Sequence, residues 1–97
     1  MFVIVLTYKK PLEIIDQYLF EHRAFLDQGY ASNFFITSGP QNPRTGGIII
    51  SQLKHRDQIE NILKEDPFYI HDVVDYEIIE FEPLKHHLSF APFIEFT

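Results

Sequence analysis

The sequence contains no cysteine. That excludes disulfides, thiolate nucleophiles and cysteine-based zinc sites, and it fits a reducing compartment, so a cytoplasmic location is expected. Positive charge is also scarce: eight Lys and Arg stand against fourteen Asp and Glu, for a formal net charge of −6. The basic residues form no stripe. Nucleic acid is therefore not an expected partner, because phosphate binding needs concentrated positive charge. Long hydrophobic runs are missing too. The apolar run Phe2 to Leu6 is too short for a membrane span, and it has neither a basic segment before it nor a cleavage site after it. It reads as a strand, and no membrane partner is expected.

Aromatic side chains are plentiful. Ten Phe and five Tyr in 97 residues, within a hydrophobic content of 45%, give large apolar areas to bury. The length suits one domain with little core to spare, so a partner subunit would help.

The segment from Pro11 to Gly29 has helical periodicity. At about 100° per residue, Leu12, Ile15, Tyr18, Leu19, His22, Phe25 and Leu26 share one arc, with His22 near its centre. Pro11 suits the first turn and Gly29 is a natural stop. A titratable ring in the middle of an apolar face has two readings. The plainer is a core histidine satisfied by a backbone carbonyl. The other is a functional base.

Around that helix the chain reads in order as strand, helix, strand, strand, helix, strand. Met1 to Tyr8 is the first strand. Ala31 to Ser38 is the second, stopped by Gly39-Pro40, and a turn-rich loop runs from Gln41 to Gly47. Ile48 to Ile50 anchors the third. A second helix runs from about His55 to Glu65 and ends where Asp66 precedes Pro67. Val73 to Glu82 is the fourth strand, and a tail follows. This order predicts an α+β, ferredoxin-like βαββαβ domain over residues 1–83 with a four-stranded antiparallel sheet, and a C-terminal tail over residues 84–97.

Two helices cover only one face of such a sheet, yet Phe2 to Leu6, Phe34 to Ile36 and Ile48 to Ile50 are apolar on both faces. The simplest cover is a second copy of the chain, sheet against sheet, so a homodimer is expected. The alternative is the tail, through Leu88, Phe90, Phe93, Ile94 and Phe96, folding over its own sheet or locking onto the partner.

The inner stripe of the second helix, Ile59, Ile62 and Leu63, reaches Asp66 one turn later. Helices packed side by side on one sheet face would bring Asp66 toward His22. A carboxylate on one ring nitrogen fixes the tautomer and raises the basicity of the other, as a general base requires. Ser38-Gly39-Pro40 offers a hydroxyl and a backbone that a ligand can approach closely. Phe68 and Tyr69 could wall a small cavity.

An inward His22 followed by Gly29, then Ser38-Gly39-Pro40, then Asp66-Pro67-Phe68, in this order and spacing, resembles the YCII-related (YciI-like) family over about residues 1–83. The resemblance implies a ferredoxin-like domain that dimerises as an α+β barrel, related in fold to muconolactone isomerases and small cofactor-free monooxygenases. It implies a catalytic pair at His22 and Asp66, and a Gly-Pro turn, Gly39-Pro40, bordering the same pocket. Most members have no assigned reaction, and a few relatives dehydrochlorinate aromatic breakdown products. Many members carry Arg-Pro just before the histidine, where this chain has Leu19 and Phe20. If that arginine binds an acidic substrate in those members, the departure points to a less charged ligand or to a protein that is not an enzyme, unless Arg23 or Arg44 substitutes.

The remaining histidines carry less. His86 and His87 are adjacent and face opposite ways in a strand. His71 with His22 and Asp66 lacks a metal-ligand spacing, so no metal is expected, and no cofactor either. Three functions follow. The first is a cofactor-independent lyase or isomerase in which His22 moves a proton, Asp66 orients it, and the Ser38-Gly39 backbone stabilises negative charge. The others are a non-catalytic small-ligand-binding or regulatory dimer, and a cofactor-free monooxygenase.

Overall fold

A computed structural model describes residues 1–94. Its centre is β1 (Phe2–Tyr8), a strand of alternating burial. Phe2, Ile4 and Leu6 point under the helices and are fully buried, whereas Val3 and Val5 face the other way. β1 pairs antiparallel with β3 (Gly46–Ser51) on one side and β4 (Val74–Glu80) on the other. β2 (Phe35–Pro40) closes the sheet at the outer edge of β3, giving the order β2-β3-β1-β4. This is the ferredoxin-like four-stranded antiparallel sheet of an α+β domain. Among the described residues no helix is long and apolar enough to cross a membrane.

The first helical segment differs from the single Pro11–Gly29 helix that its periodicity predicts. It is two helices, α1 (Leu12–Gln17) and α2 (Leu19–Ala31), divided at Tyr18, whose φ and ψ are −109° and 2°. The Tyr18 N–H bonds back three residues to the Ile15 carbonyl at 3.0 Å, so α1 ends on a tightened turn. Leu12, at the first position of α1, is exposed, while Ile15 and His22 stay buried.

α2 also runs past Gly29. Asn33 takes the left-handed conformation at φ 61°, the Phe34 N–H bonds the Gly29 carbonyl at 2.8 Å, and the Asn33 N–H bonds the Tyr30 carbonyl at 3.0 Å. That is a Schellman ending with Asn in the position glycine usually fills. Gly29 serves packing instead: a Cβ there would lie 2.2 Å from the Phe35 ring. β2 consequently starts late, and it runs on through Gly39 and Pro40, which pair with Ile48 and Gly47. Proline fits there because β2 is an edge strand.

The second helical region is α3 (Arg56–Leu63) followed by a short α4 (Pro67–Ile70) that the sequence reading lacks. Asp66 is the N-cap of α4, its side chain accepting from the Phe68 N–H, with Pro67 in the first turn.

The sheet face away from the helices carries Val3, Val5, Ile48 and Ile50, half-buried, with Ile79 more exposed beside them. The tail makes a 3-10 turn, Leu88–Phe93, in which the Phe90 and Phe93 rings pack 5.3 Å apart. Its residues border a groove at the end of the sheet near Met1, Gln52 and Glu80. Leu84 and Leu88 remain 86% and 85% exposed, whereas Phe90, Phe93 and Ile94 are half-buried. Phe96 lies outside the described residues.

Candidate active site

His22 and Asp66 meet. The pitch of α2 turns His22 inward, and the cap of α4 aims Asp66 back at it, so that His22 Nδ1 lies 2.8 Å from Asp66 Oδ1. Asp66 has no exposed surface. The Phe68 N–H donates to Oδ1 at 2.9 Å and the Tyr76 hydroxyl donates to Oδ2 at 2.5 Å. Both carboxylate oxygens therefore act as acceptors, and the matching role for His22 Nδ1 is donor. That leaves Nε2 with its lone pair, the arrangement of a base oriented by a carboxylate.

Tyr76 is held neutral in this role. Burial first, then the Asp66 charge and the hydrogen bond to it, push its hydroxyl far above the ordinary tyrosine value. Period-2 alternation in β4 puts Tyr76 on the same face as Val74 and Ile78, opposite Leu6 of β1. That alternation was the available signal for Tyr76, and sequence reasoning missed it. Phe68 fixes the other side of the imidazole. The two rings stack with centroids 3.9 Å apart and planes 9° apart, and Tyr8 meets Phe68 edge-on at 6.2 Å.

A cavity of about 490 Å³ opens beside this pair. That volume suits a small organic molecule. It brings His22 together with Ser38, Gly39, Pro40 and Phe68. Gly39 faces open space, since a Cβ there would meet nothing within 4 Å. The Ser38 hydroxyl is 2.5 Å from the Tyr30 hydroxyl, so a wall residue from β2 is tied to α2. Tyr69, expected beside Phe68, is instead about half exposed and packs near Tyr76 at 6.2 Å.

Arg23 and Arg44 both border the cavity, as does Leu19, while Phe20 points to solvent. Arg44 is held from outside: its Nη2 donates to Asp16 at 2.6 Å, and its guanidinium lies 5.8 Å over the Tyr8 ring. His71 is exposed and stacks on Tyr18 at 4.0 Å. Among the described residues no three His, Asp or Glu side chains converge as a metal ion would require.

The YCII-related domain model matches residues 1–82. The chain belongs to the YCII-related family. Membership covers the whole sheet and all four α-helices. No curated protein matches the sequence. A solved structure that resembles this YCII-related chain is the 5-chloro-2-hydroxyhydroquinone dehydrochlorinase TftG from Burkholderia phenoliruptrix AC1100, in complex with 2,5-dihydroxybenzoquinone. The two align with a TM-score of 0.70 over 92% of this chain and 98% of that one, at 18% identity. At that identity the likeness speaks for the shared fold.

Proposed function

We propose that this protein is a small cofactor-independent enzyme of the lyase or isomerase type, acting in the cytoplasm as a homodimer. One observation carries the reading: a buried imidazole bonded through Nδ1 to a fully buried carboxylate, with its ring bordering a cavity of ligand size. His22 Nε2 takes a proton from a bound substrate. Asp66 holds the ring's tautomer and favours the imidazolium that forms. The Ser38-Gly39 backbone lies against the developing negative charge. The proton then returns to another atom of the substrate, or leaves with a departing anion.

The neighbouring fold supplies the first compound to try. Elimination of HCl from 5-chloro-2-hydroxyhydroquinone sends a proton to His22 and the C–Cl electron pair out with chloride, leaving a hydroxyquinone with no outside oxidant. The test is chloride release from that compound, together with solvent deuterium exchange into a panel of enolisable ketones and lactones. Turnover is expected with the native chain, and His22→Gln should lower it about 10²- to 10⁴-fold. Turnover equal in both proteins removes His22 as the base. Ligand binding without turnover, unaltered by His22→Gln, favours a non-catalytic binding dimer. Oxygen consumption with an aromatic substrate favours a monooxygenase.

A further inference from the structure

The cavity wall has a charge pattern opposite to that of the protein as a whole. The chain carries −6, yet among the described residues no aspartate or glutamate lines the cavity, while Arg23, Arg44 and His22 all do. The two arginines differ in their state. Arg44 is neutralised in part by Asp16 at 2.6 Å and is fixed over Tyr8. Arg23, on the exposed side of α2, makes no hydrogen bond or ion pair among the described residues. A guanidinium left without a protein partner at the mouth of a largely apolar cavity keeps its donors for something else. Apart from Ser38 and the glycine backbone, the rest of the wall is mostly hydrocarbon and ring, with Leu19 and Leu26 on α2, Ile49 on β3 and Phe68 beneath.

We propose that the cavity takes a flat organic carboxylate, with Arg23 as its anchor and Arg44 as the second cationic wall. The apolar body of the ligand lies against Leu19, Leu26 and Ile49, and its acidic hydrogen faces His22. This deepens the reading of the cavity as the substrate site and rests on it. A guanidinium presents paired N–H donors that match the two oxygens of a carboxylate. A positive cleft in a negative protein also concentrates anions locally and raises their rate of capture.

The experiment is calorimetric titration of the full chain, at low salt, with 2-hydroxybenzoate, its uncharged mimic 2-hydroxybenzamide, and phenyl phosphate. 2-Hydroxybenzoate should bind about tenfold or more tightly than the amide, and Arg23→Gln should remove that preference while leaving amide affinity unchanged. Arg23→Lys, which keeps the charge and loses the fork, should fall between. His22→Gln should keep the preference, because it removes the base and not the anchor. Equal affinity for acid and amide, no binding of either, or a preference that survives Arg23→Gln would overturn the proposal. Tighter binding of phenyl phosphate than of 2-hydroxybenzoate would overturn the assignment to carboxylates. Since the preference is read on a His22→Gln background, its loss leaves proton transfer standing, and absence of turnover leaves the anion site standing.

Discussion

At the scale of single residues, the decisive feature is how many donors Asp66 receives. A buried carboxylate with one partner would be a liability, and here His22, the Phe68 N–H and the Tyr76 hydroxyl share its charge. Tyr76→Phe removes one donor and leaves Oδ2 buried without it. Stability should fall by about 1–3 kcal/mol, read from denaturant midpoints. The same hydroxyl gives a pH signature. Its folded pKa is raised above the ordinary value of 10.0. The sign follows directly: the folded chain keeps this proton after the unfolded chain has lost it. The contribution is whole below pH 10 and declines above it, at a slope of up to about 1.4 kcal/mol per pH unit. Denaturation at pH 9 to 11 should show that decline in the native chain and a shallower one in Tyr76→Phe. An identical decline in both would remove Tyr76 as its source. Asp66→Asn belongs to the same scale: an amide can present its NH2 to His22 and fix the wrong tautomer, so turnover should drop about 10²- to 10⁴-fold with substrate affinity little changed.

At the scale of elements, periodicity and turn chemistry carried different amounts of information. The 3.6-residue period placed His22 and Ile15 inward, and Asp66 before Pro67 marked the break between α3 and α4. Those two signals bring the pair together once both helical regions lie side by side on one sheet face. They do not reveal the break at Tyr18, because no proline or glycine marks it. They also misplace the end of α2: Gly29 reads as the stop, whereas the helix runs on to the left-handed Asn33 and Gly29 answers to tertiary packing. Phe35 needs the space that a side chain at position 29 would fill. Tyr76 was hidden for a related reason: its partner lies on another element, and no local spacing links residues 66 and 76. Gly29→Ala tests the packing account. It should cost about 1–3 kcal/mol, as overpacking does, even though alanine is the better helix former. Gly39→Ala, on an element end where a Cβ meets nothing within 4 Å, should leave stability within about 0.5 kcal/mol. Equal effects at the two sites would mean that the Phe35 contact is not what fixes Gly29.

At the scale of the whole molecule, the sheet divides the chain into a covered face and an open one. α1 to α4 bury Phe2, Ile4, Leu6 and Ile49 on one side. On the other, Val3, Val5, Ile48 and Ile50 form a contiguous apolar strip across the two central strands, flanked by Ile79. The tail leaves Leu84 and Leu88 bare. A monomer so built exposes strip and tail to water together; a second copy packed sheet to sheet would cover both. The expected solution mass is twice 11.5 kDa, with a melting temperature that rises with protein concentration. Ile50→Lys puts a charge at the centre of the strip, away from His22, and should shift the mass to that of the monomer. Leu88→Ser should weaken the dimer less, because it trims one arm and leaves the sheet contact. A native chain that sediments as a monomer at micromolar concentration would mean that the strip faces water in the working protein. A stable dimer unaffected by Ile50→Lys would place the interface on another surface.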